Sequence, residues 1–263
     1  MVDPGLAAVV EACRSARRVV CVTGAGVSRG SGVPTYRDAM EGLWARYRPE
    51  DLATPEAFAA DPALVTRWYD QRRLACMKCA PNAAHVAIAA WQRRVEAMDG
   101  GSFTLITQNV DDLHERAGCP PGSVHHVHGT MFRWFDPATG LRVDAFGGEP
   151  LVKGGDYPPV SEDGGAMRPD IVWFGESLPM EVMEVAAGAL AECAVFVSAG
   201  TSGVVHPVAG FVHAVGRGAV TVEVNPEATP MSGAFDYGVR MRAEEALPVL
   251  AGVAAEEGGG GES

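Results

Sequence analysis

A β-branched run, Arg18-Val19-Val20-Cys21-Val22-Thr23, stops at Gly24-Ala25-Gly26. A short apolar run bounded by glycines reads as a buried strand that ends in a tight turn. Three more runs look alike: Phe103 to Thr107, Ala194 to Ser198 and Ala219 to Val224. Stretches with helical character lie around them, at 5–17, 82–98 and 180–192. Strands alternating with helices predict an α/β fold, a parallel sheet with helices on both faces. Two stretches break the alternation. Residues 38–80 hold helical pieces punctuated by Pro49, Pro55 and Pro62, and residues 134–169 are rich in Gly, Pro and Asp. Both read as insertions that pack together as a smaller second lobe. No internal repeat is found. The glycine-rich end, Gly258 to Ser263, reads as a disordered tail.

The chain has 263 residues, 47% of them hydrophobic and 21% charged, which suits a globular protein with a sizeable core. Thirty-three acids against 21 bases leave a net charge of −12. That balance argues against a sequence-independent grip on nucleic acid and suits a cationic peptide. No apolar run is long enough to span a bilayer, so no membrane partner is expected. The N-terminal residues carry Asp3, Glu11 and several Arg and do not read as a secretory signal. With no such signal, the six cysteines read as reduced thiols and the expected location is cytoplasmic.

Gly24-Ala25-Gly26-Val27-Ser28 follows a strand, the context of a dinucleotide site, where glycines let the backbone approach a pyrophosphate. The fuller glycine pattern fails because Arg29 stands where a third glycine belongs. A plain tight turn explains the same residues. Ser31 to Arg37 continues as a loop at the carboxyl end of the sheet, and Arg37 there is a phosphate or carbonyl partner or a solvated charge. The strand ending at Thr107 breaks into Gln108-Asn109-Val110-Asp111-Asp112, groups that suit an amide and sugar hydroxyls. A helix cap is the plainer role for Asn109 or Asp111. In Val124-His125-His126-Val127-His128-Gly129, no nearby acid or cysteine completes a metal set. His128 is the candidate general base, whereas His125 and His126 read as structural.

These residues resemble the sirtuin family of NAD-dependent protein-lysine deacylases. The motifs Gly24-Ala25-Gly26-Val27-Ser28, Ser31 to Arg37, Thr107 to Asp111, Leu113-His114, Ala117-Gly118, His128-Gly129, Phe174-Gly175-Glu176, Gly200-Thr201-Ser202 and Val222 to Asn225 match in order, over roughly residues 10–250. Tyr36 replaces the usual Phe. The resemblance implies a Rossmann-like lobe of residues 1–37, 101–131 and 170–255. A small lobe would come from 38–100 and 132–169, and 256–263 would be the tail. It also implies that NAD is consumed as a co-substrate and that acylated-lysine peptides or proteins are the partners.

By the same resemblance, Gly24, Ala25, Gly26, Gly200, Thr201 and Ser202 would cradle the pyrophosphate and adjoining ribose. Ser28, Pro34, Tyr36 and Arg37 would also contact the cofactor. Asn225 and Glu227 would face the adenosine ribose, with Ala243 near adenine. Gln108, Asn109 and Asp111 would hold the nicotinamide end, and Asn109, Asp111 and His128 would carry the chemistry. The acyl oxygen would attack the ribose carbon that bears nicotinamide, and His128 would deprotonate a ribose hydroxyl that attacks the resulting imidate. Free lysine, nicotinamide and O-acyl-ADP-ribose would leave. Phe174, Gly175 and Glu176 would offer the peptide a strand edge. An NAD or ADP-ribose sensor of little activity is one rival reading, and an NAD glycohydrolase or ADP-ribosyltransferase is another.

Two features depart from most of the family. The cysteine positions of its structural zinc are held here by Trp134, Pro137, Val160 and Asp163, so no zinc is expected, and packing through Trp134, Phe135 and Val160 is expected to replace it. Tyr69 and Arg72 share a helix face and resemble the branch that removes acidic acyl groups such as succinyl and malonyl. A surface arginine between Arg67 and Arg73 is the alternative. Cys76-Met77-Lys78-Cys79 has no second pair and reads as two half-buried thiols.

Overall fold

The structure is a computed structural model that describes residues 4–33, 52–120 and 122–253. The chain runs α1 (Pro4–Ser15), β1 (Arg18–Thr23), α2 (Ala25–Arg29), α3 (Pro55–Ala60), α4 (Pro62–Met77) and α5 (Ala83–Glu96). It continues β2 (Ser102–Thr107), α6 (Leu113–Arg116), β3 (Val124–His126), β4 (Gly129–Phe135), β5 (Arg142–Asp144) and β6 (Arg168–Ile171). It closes with α7 (Met180–Glu192), β7 (Val195–Ala199), β8 (Val220–Val224), β9 (Tyr237–Val239) and α8 (Ala243–Ala251).

All four apolar runs are strands of one parallel sheet, ordered β3-β2-β1-β7-β8-β9. The edge strands β3 and β9 have three residues each, too few to carry a periodic signal. Helices α1, α5 and α8 pack one face around Val19, Cys21, Trp91 and Leu247. Helix α7 and the 3-10 turn Val208–Ala214 pack the other, around Val20, Val22 and Phe196. The expected parallel sheet with helices on both faces is therefore present. The chain steps outward from β1 to β2 and β3, then returns to β7 on the far side of β1. That reversal opens a crevice beyond the carboxyl ends of β1 and β7, where ligands of such folds bind.

Helix α5 falls within the 38–100 insertion, but Ala84, Ile88, Trp91 and Val95 bury into the large lobe's core. Its apolar stripe matches the sheet, so the boundary of the small lobe lies before α5 and not at residue 100.

The small lobe is the antiparallel sheet β5-β4-β6 with α4 packed on it. Val65, Trp68, Tyr69, Met131, Phe132, Trp134 and Trp173 form its core. Trp134 is buried as expected, and its indole N–H donates to the Met131 carbonyl at 3.1 Å. Phe135 lies beneath the guanidinium groups of Arg168 and Arg142. Val160 is 65% exposed, so the packing expected of it does not form.

Two polar clusters also bind this lobe together. Arg73, which flanks Arg72 on α4, is 0% exposed beside Asp70, with 2.7 Å between them. Arg73 also donates to the carbonyls of Ala145, Gly147 and Glu149. Asp70 accepts from the backbone N–H of Leu151 at 2.9 Å and from the Tyr157 hydroxyl. One ion pair thus fastens the whole 145–157 segment to α4. In the second cluster Asp136 accepts from Ser161 Oγ at 2.7 Å and from the Ala138 N–H at 2.8 Å. Ser161 Oγ in turn accepts from the Gly165 N–H, and a side chain at Gly165 would overlap the Asp136 carboxylate.

The four family cysteine positions do not fit a tetrahedral metal. Trp134, Pro137 and Val160 carry no ligating atom, which leaves Asp163 alone. Arg73→Met is expected to lower unfolding stability by about 3–5 kcal/mol, because it leaves Asp70 buried without its partner. Urea denaturation measures this, and an unchanged midpoint would contradict it.

Candidate functional site

The turn after β1 is locked against the turn after β7. The N–H of Gly24 donates to Ala199 O at 3.0 Å and that of Gly26 to Gly200 O at 2.9 Å. A Cβ at Gly26 would lie 2.7 Å from Gly200 Cα, so side chains are excluded by backbone contact. The N–H groups of Gly24, Gly26 and Val27 are all bonded within the protein. These two glycines therefore bring Gly200, Thr201 and the α2 terminus together, rather than offering their own N–H groups to a pyrophosphate.

A buried polar network sits beneath this crevice. Ser28 Oγ donates to Asp111 Oδ2 at 2.9 Å and accepts from Asn109 Nδ2 at 3.0 Å. His85 accepts the Asn82 N–H at Nδ1, which places its proton on Nε2, 3.3 Å from Ser28 Oγ. Asn82 caps α5 and donates to Val27 O, so the helix start and α2 are joined. Asp111 also accepts from the Leu113 N–H at 3.2 Å. Asp111 thus holds the first N–H of α6 while facing Ser28, but the N-cap position itself falls to Asp112, so neither Asn109 nor Asp111 is the helix cap of the plainer reading. Burial pushes the Asp111 carboxyl up, and its Ser28 and Leu113 bonds oppose that. Thr23 Oγ1 donates to Thr107 Oγ1 and accepts from His114 Nε2 at 3.0 Å. The Asn109 N–H also donates to Thr107 Oγ1, which fixes the start of the loop after β2. Among the described residues, buried His114 Nδ1 has no hydrogen-bond partner, and burial depresses that ring's proton affinity.

His128 lies in the turn between β3 and β4, beyond the strand that carries His126. Its Nδ1 donates to Gln108 O at 3.1 Å, which leaves Nε2 unprotonated in the neutral ring. Burial lowers its proton affinity, and the Gln108 bond opposes this weakly. A half-buried neutral imidazole with a fixed tautomer suits a general base. Gly129 follows at φ +73°, with no room for a side chain beside the Asp170 carbonyl.

Gln108, Ser198, Thr201 and Glu223 line one cavity at the carboxyl ends of β2, β7 and β8. Asn225 Nδ2 donates to Thr201 O at 2.7 Å and so joins the turn after β8 to the one after β7. Ser202 and Glu227 are exposed beside these turns. Ala243 is buried at the start of α8, whose next residue, Glu244, reaches Gly30 after α2. Pro34, Tyr36 and Arg37 lie outside the described residues.

Residues Phe174 and Gly175 form a turn, not a strand. Glu176 closes it: its N–H donates to Trp173 O, and its carboxylate accepts from the Trp173 N–H and from Arg168 through two bonds of 2.6 and 2.9 Å. The Glu176 side chain is thus committed to the protein, and backbone together with the half-exposed Phe174 ring is what faces outward. Tyr69 is buried and its hydroxyl accepts from Trp173 Nε1 at 3.0 Å. Arg72 lies on the same helix with its guanidinium 4.8 Å from the Trp68 ring. Helix α4 and the Phe174 turn are therefore directly coupled. Cys76 is fully buried, not half-buried, and its thiol is pushed up by burial, as is that of Cys79.

Sequence reasoning missed His85 and Ser28 as one unit. The signal was present in Asn82-x-x-His85, a capping-box spacing that turns the histidine back toward the helix start.

The sequence profile described as the Sir2 family matches residues 24–207. A protein of Mycolicibacterium paratuberculosis named NAD-dependent protein deacylase is 46% identical over 239 residues, covering 89% of this chain and 96% of that one. A crystal structure of a Sir2 homolog–NAD complex aligns with TM-score 0.84 and 38% identity, over 95% of this chain and 93% of that chain. A Sir2 variant solved with deacetylated p53 peptide and acetyl-ADP-ribose aligns with TM-score 0.79 and 25% identity, over 95% and 98%.

Ser28→Ala is expected to lower stability by about 1–3 kcal/mol, since Asp111 and Asn109 both lose a buried partner. Thermal unfolding measures this, and a loss near zero would show that the network is not held through Ser28.

Proposed function

This chain belongs to the Sir2 family, and on that premise we propose an NAD-dependent protein-lysine deacylase that works without a structural zinc and accepts acidic acyl chains. The deacylase activity is that of its close curated relatives. The observation that supports the reading is that Asn109 and Asp111 share Ser28 Oγ while His128 bonds the adjacent Gln108 carbonyl, its half-buried imidazole held in the tautomer a base needs.

In this reading the crevice beyond β1 and β7 takes NAD as a co-substrate, which supplies the ribose carbon to which the acyl oxygen is transferred. The Gly200-Thr201-Ser202 turn, with Ala25, borders the pyrophosphate and adjoining ribose. Asn225, Glu227 and Ala243 lie on the adenosine side. Gln108, Asn109 and Asp111 orient the nicotinamide end and exclude water from it, so that positioning and desolvation carry most of the rate. His128 Nε2 removes a proton from a ribose hydroxyl. The resemblance also assigns Pro34, Tyr36 and Arg37, outside the described residues, to the cofactor.

The acylated-lysine peptide lies along the Phe174-Gly175-Glu176 turn, and a net charge of −12 favours cationic peptide sequences. Tyr69 and Arg72 receive the acyl terminus, Arg72 as the carboxylate partner. The Asp70–Arg73 pair, each member one residue after Tyr69 or Arg72, supports that helix. Asp136, Ser161 and Gly165 hold together the segments that zinc joins in most of the family. No helix of the described residues is long and apolar enough to cross a membrane, and a cytoplasmic location is the proposed one.

Three outcomes are expected. His128→Ala lowers deacylation at least ~100-fold with an unchanged melting temperature. Arg72→Met slows removal of succinyl groups at least about tenfold while sparing acetyl groups, since a bonded charge contributes roughly 1.5–3 kcal/mol. Peptide mass spectrometry reads both. Exhaustive treatment with a chelator leaves rate and melting temperature unchanged. Stoichiometric zinc in the purified protein, or an Arg72 variant that loses both activities equally, would contradict the respective points.

A further inference from the structure

His126 and His128 stand two residues apart, and each donates from Nδ1 to a carbonyl of the same loop. His126 holds Asn109 O at 2.9 Å and His128 holds Gln108 O at 3.1 Å. They differ at the other nitrogen. His126 Nε2 lies 2.7 Å from Glu115 Oε1 on α6. The second oxygen of Glu115 is buried and has no hydrogen-bond donor among the described residues. Two acceptors require two N–H groups, and a neutral imidazole has one. An extra proton is therefore held within the pair, and a ring bonded through both nitrogens is where it sits.

Burial works against a charged His126, but the Glu115 bond and charge, the Asn109 carbonyl and the Asp111 charge outweigh it and raise its proton affinity. His128 has only its carbonyl and is shifted the opposite way. Neighbouring imidazoles are thus set to opposite protonation states, one a charged anchor and one a neutral base. The titratable groups that face His126 are Glu115 and His114 from α6, Asp111 from the loop after β2, and its chain neighbour His125. Burial disfavours charge on His114 and His125, which leaves His126 as the positive ring beside Asp111.

We propose that His126 and Glu115 form an ion pair that positions the Gln108–Asp111 loop for deacylation, gripping it at the Asn109 carbonyl and setting a positive charge beside the buried Asp111 carboxylate. This rests on the deacylase reading. His126 is a positioning residue, since it acts through Asn109 and Asp111. The sign of its pH dependence follows from the raised proton affinity. The support is fully present below the ring's unfolded value and is lost as pH rises through the higher folded value. It therefore shapes the alkaline limb of the rate profile, while His128 shapes the acid limb.

The test combines long-range proton–nitrogen NMR of the histidine rings with pH–rate profiles for wild type, Glu115→Gln and His126→Asn. Melting temperatures confirm that each variant folds. Wild-type His126 is expected to be doubly protonated at pH 7, with His128 singly protonated. Glu115→Gln keeps a hydrogen bond but lets the ring become neutral, so the alkaline limb moves down by about one pH unit while the acid limb stays. His126→Asn lowers kcat about tenfold, about 1.4 kcal/mol, with little change in peptide KM. A neutral His126 in the wild type at pH 7, or alkaline limbs that coincide in all three proteins, would overturn the proposal. A wild type that removes no acyl group while its ring is doubly protonated would overturn the deacylase reading, and the pair's catalytic use with it, but not the ion pair.

Discussion

Ser28 Oγ is the point through which the site is assembled. One hydroxyl donates to Asp111, accepts from Asn109 and faces His85. Ser28 stands on α2, and its partners come from the loop after β2 and the start of α5, elements far apart in sequence. Each is buried, so each needs its bond, and losing one strands the others. The interlocked turns at Gly26 and Gly200 act above this network and the histidine turn acts beside it. The crevice is thus shaped by backbone contact, and the chemistry is set by a small polar core below.

The small lobe meets a different demand. It joins its two irregular segments through carboxylates. Asp70 with Arg73 captures the 145–157 segment, and Asp136 with Ser161 captures the Gly165 turn. Both clusters satisfy backbone groups that an irregular segment cannot satisfy in a sheet. Because α4 carries Asp70 and Arg73 together with Tyr69 and Arg72, the same helix holds the lobe and presents the proposed acyl pocket.

The parallel sheet was legible because four strands are continuous apolar runs, and burial on both faces leaves no other solution for such runs. The edge strands β3 and β9 were not, since three residues cannot establish a period. Asn109, Asp111 and His128 were legible as polar residues crowded at strand ends. What each one bonds was not, because Ser28 and His85 reach them only through the fold. The burial of Arg73 was not legible: a charge buried by tertiary contacts looks in sequence like any helical arginine. Helix α5 was assigned to the wrong lobe for a related reason, as its apolar stripe names a buried face but not the partner that buries it. Val160 shows the converse, an apolar residue left exposed where only family position suggested packing.

The stoichiometry of a single reaction tests the central claim most directly. The protein is incubated with NAD and an acetyl- or succinyl-lysine peptide, and nicotinamide, free-lysine peptide and acyl-ADP-ribose are counted together. A deacylase that transfers the acyl group forms the three in equal amounts and releases no nicotinamide without peptide. Nicotinamide released in the absence of peptide, or NAD bound and left intact beside untouched peptide, would contradict it.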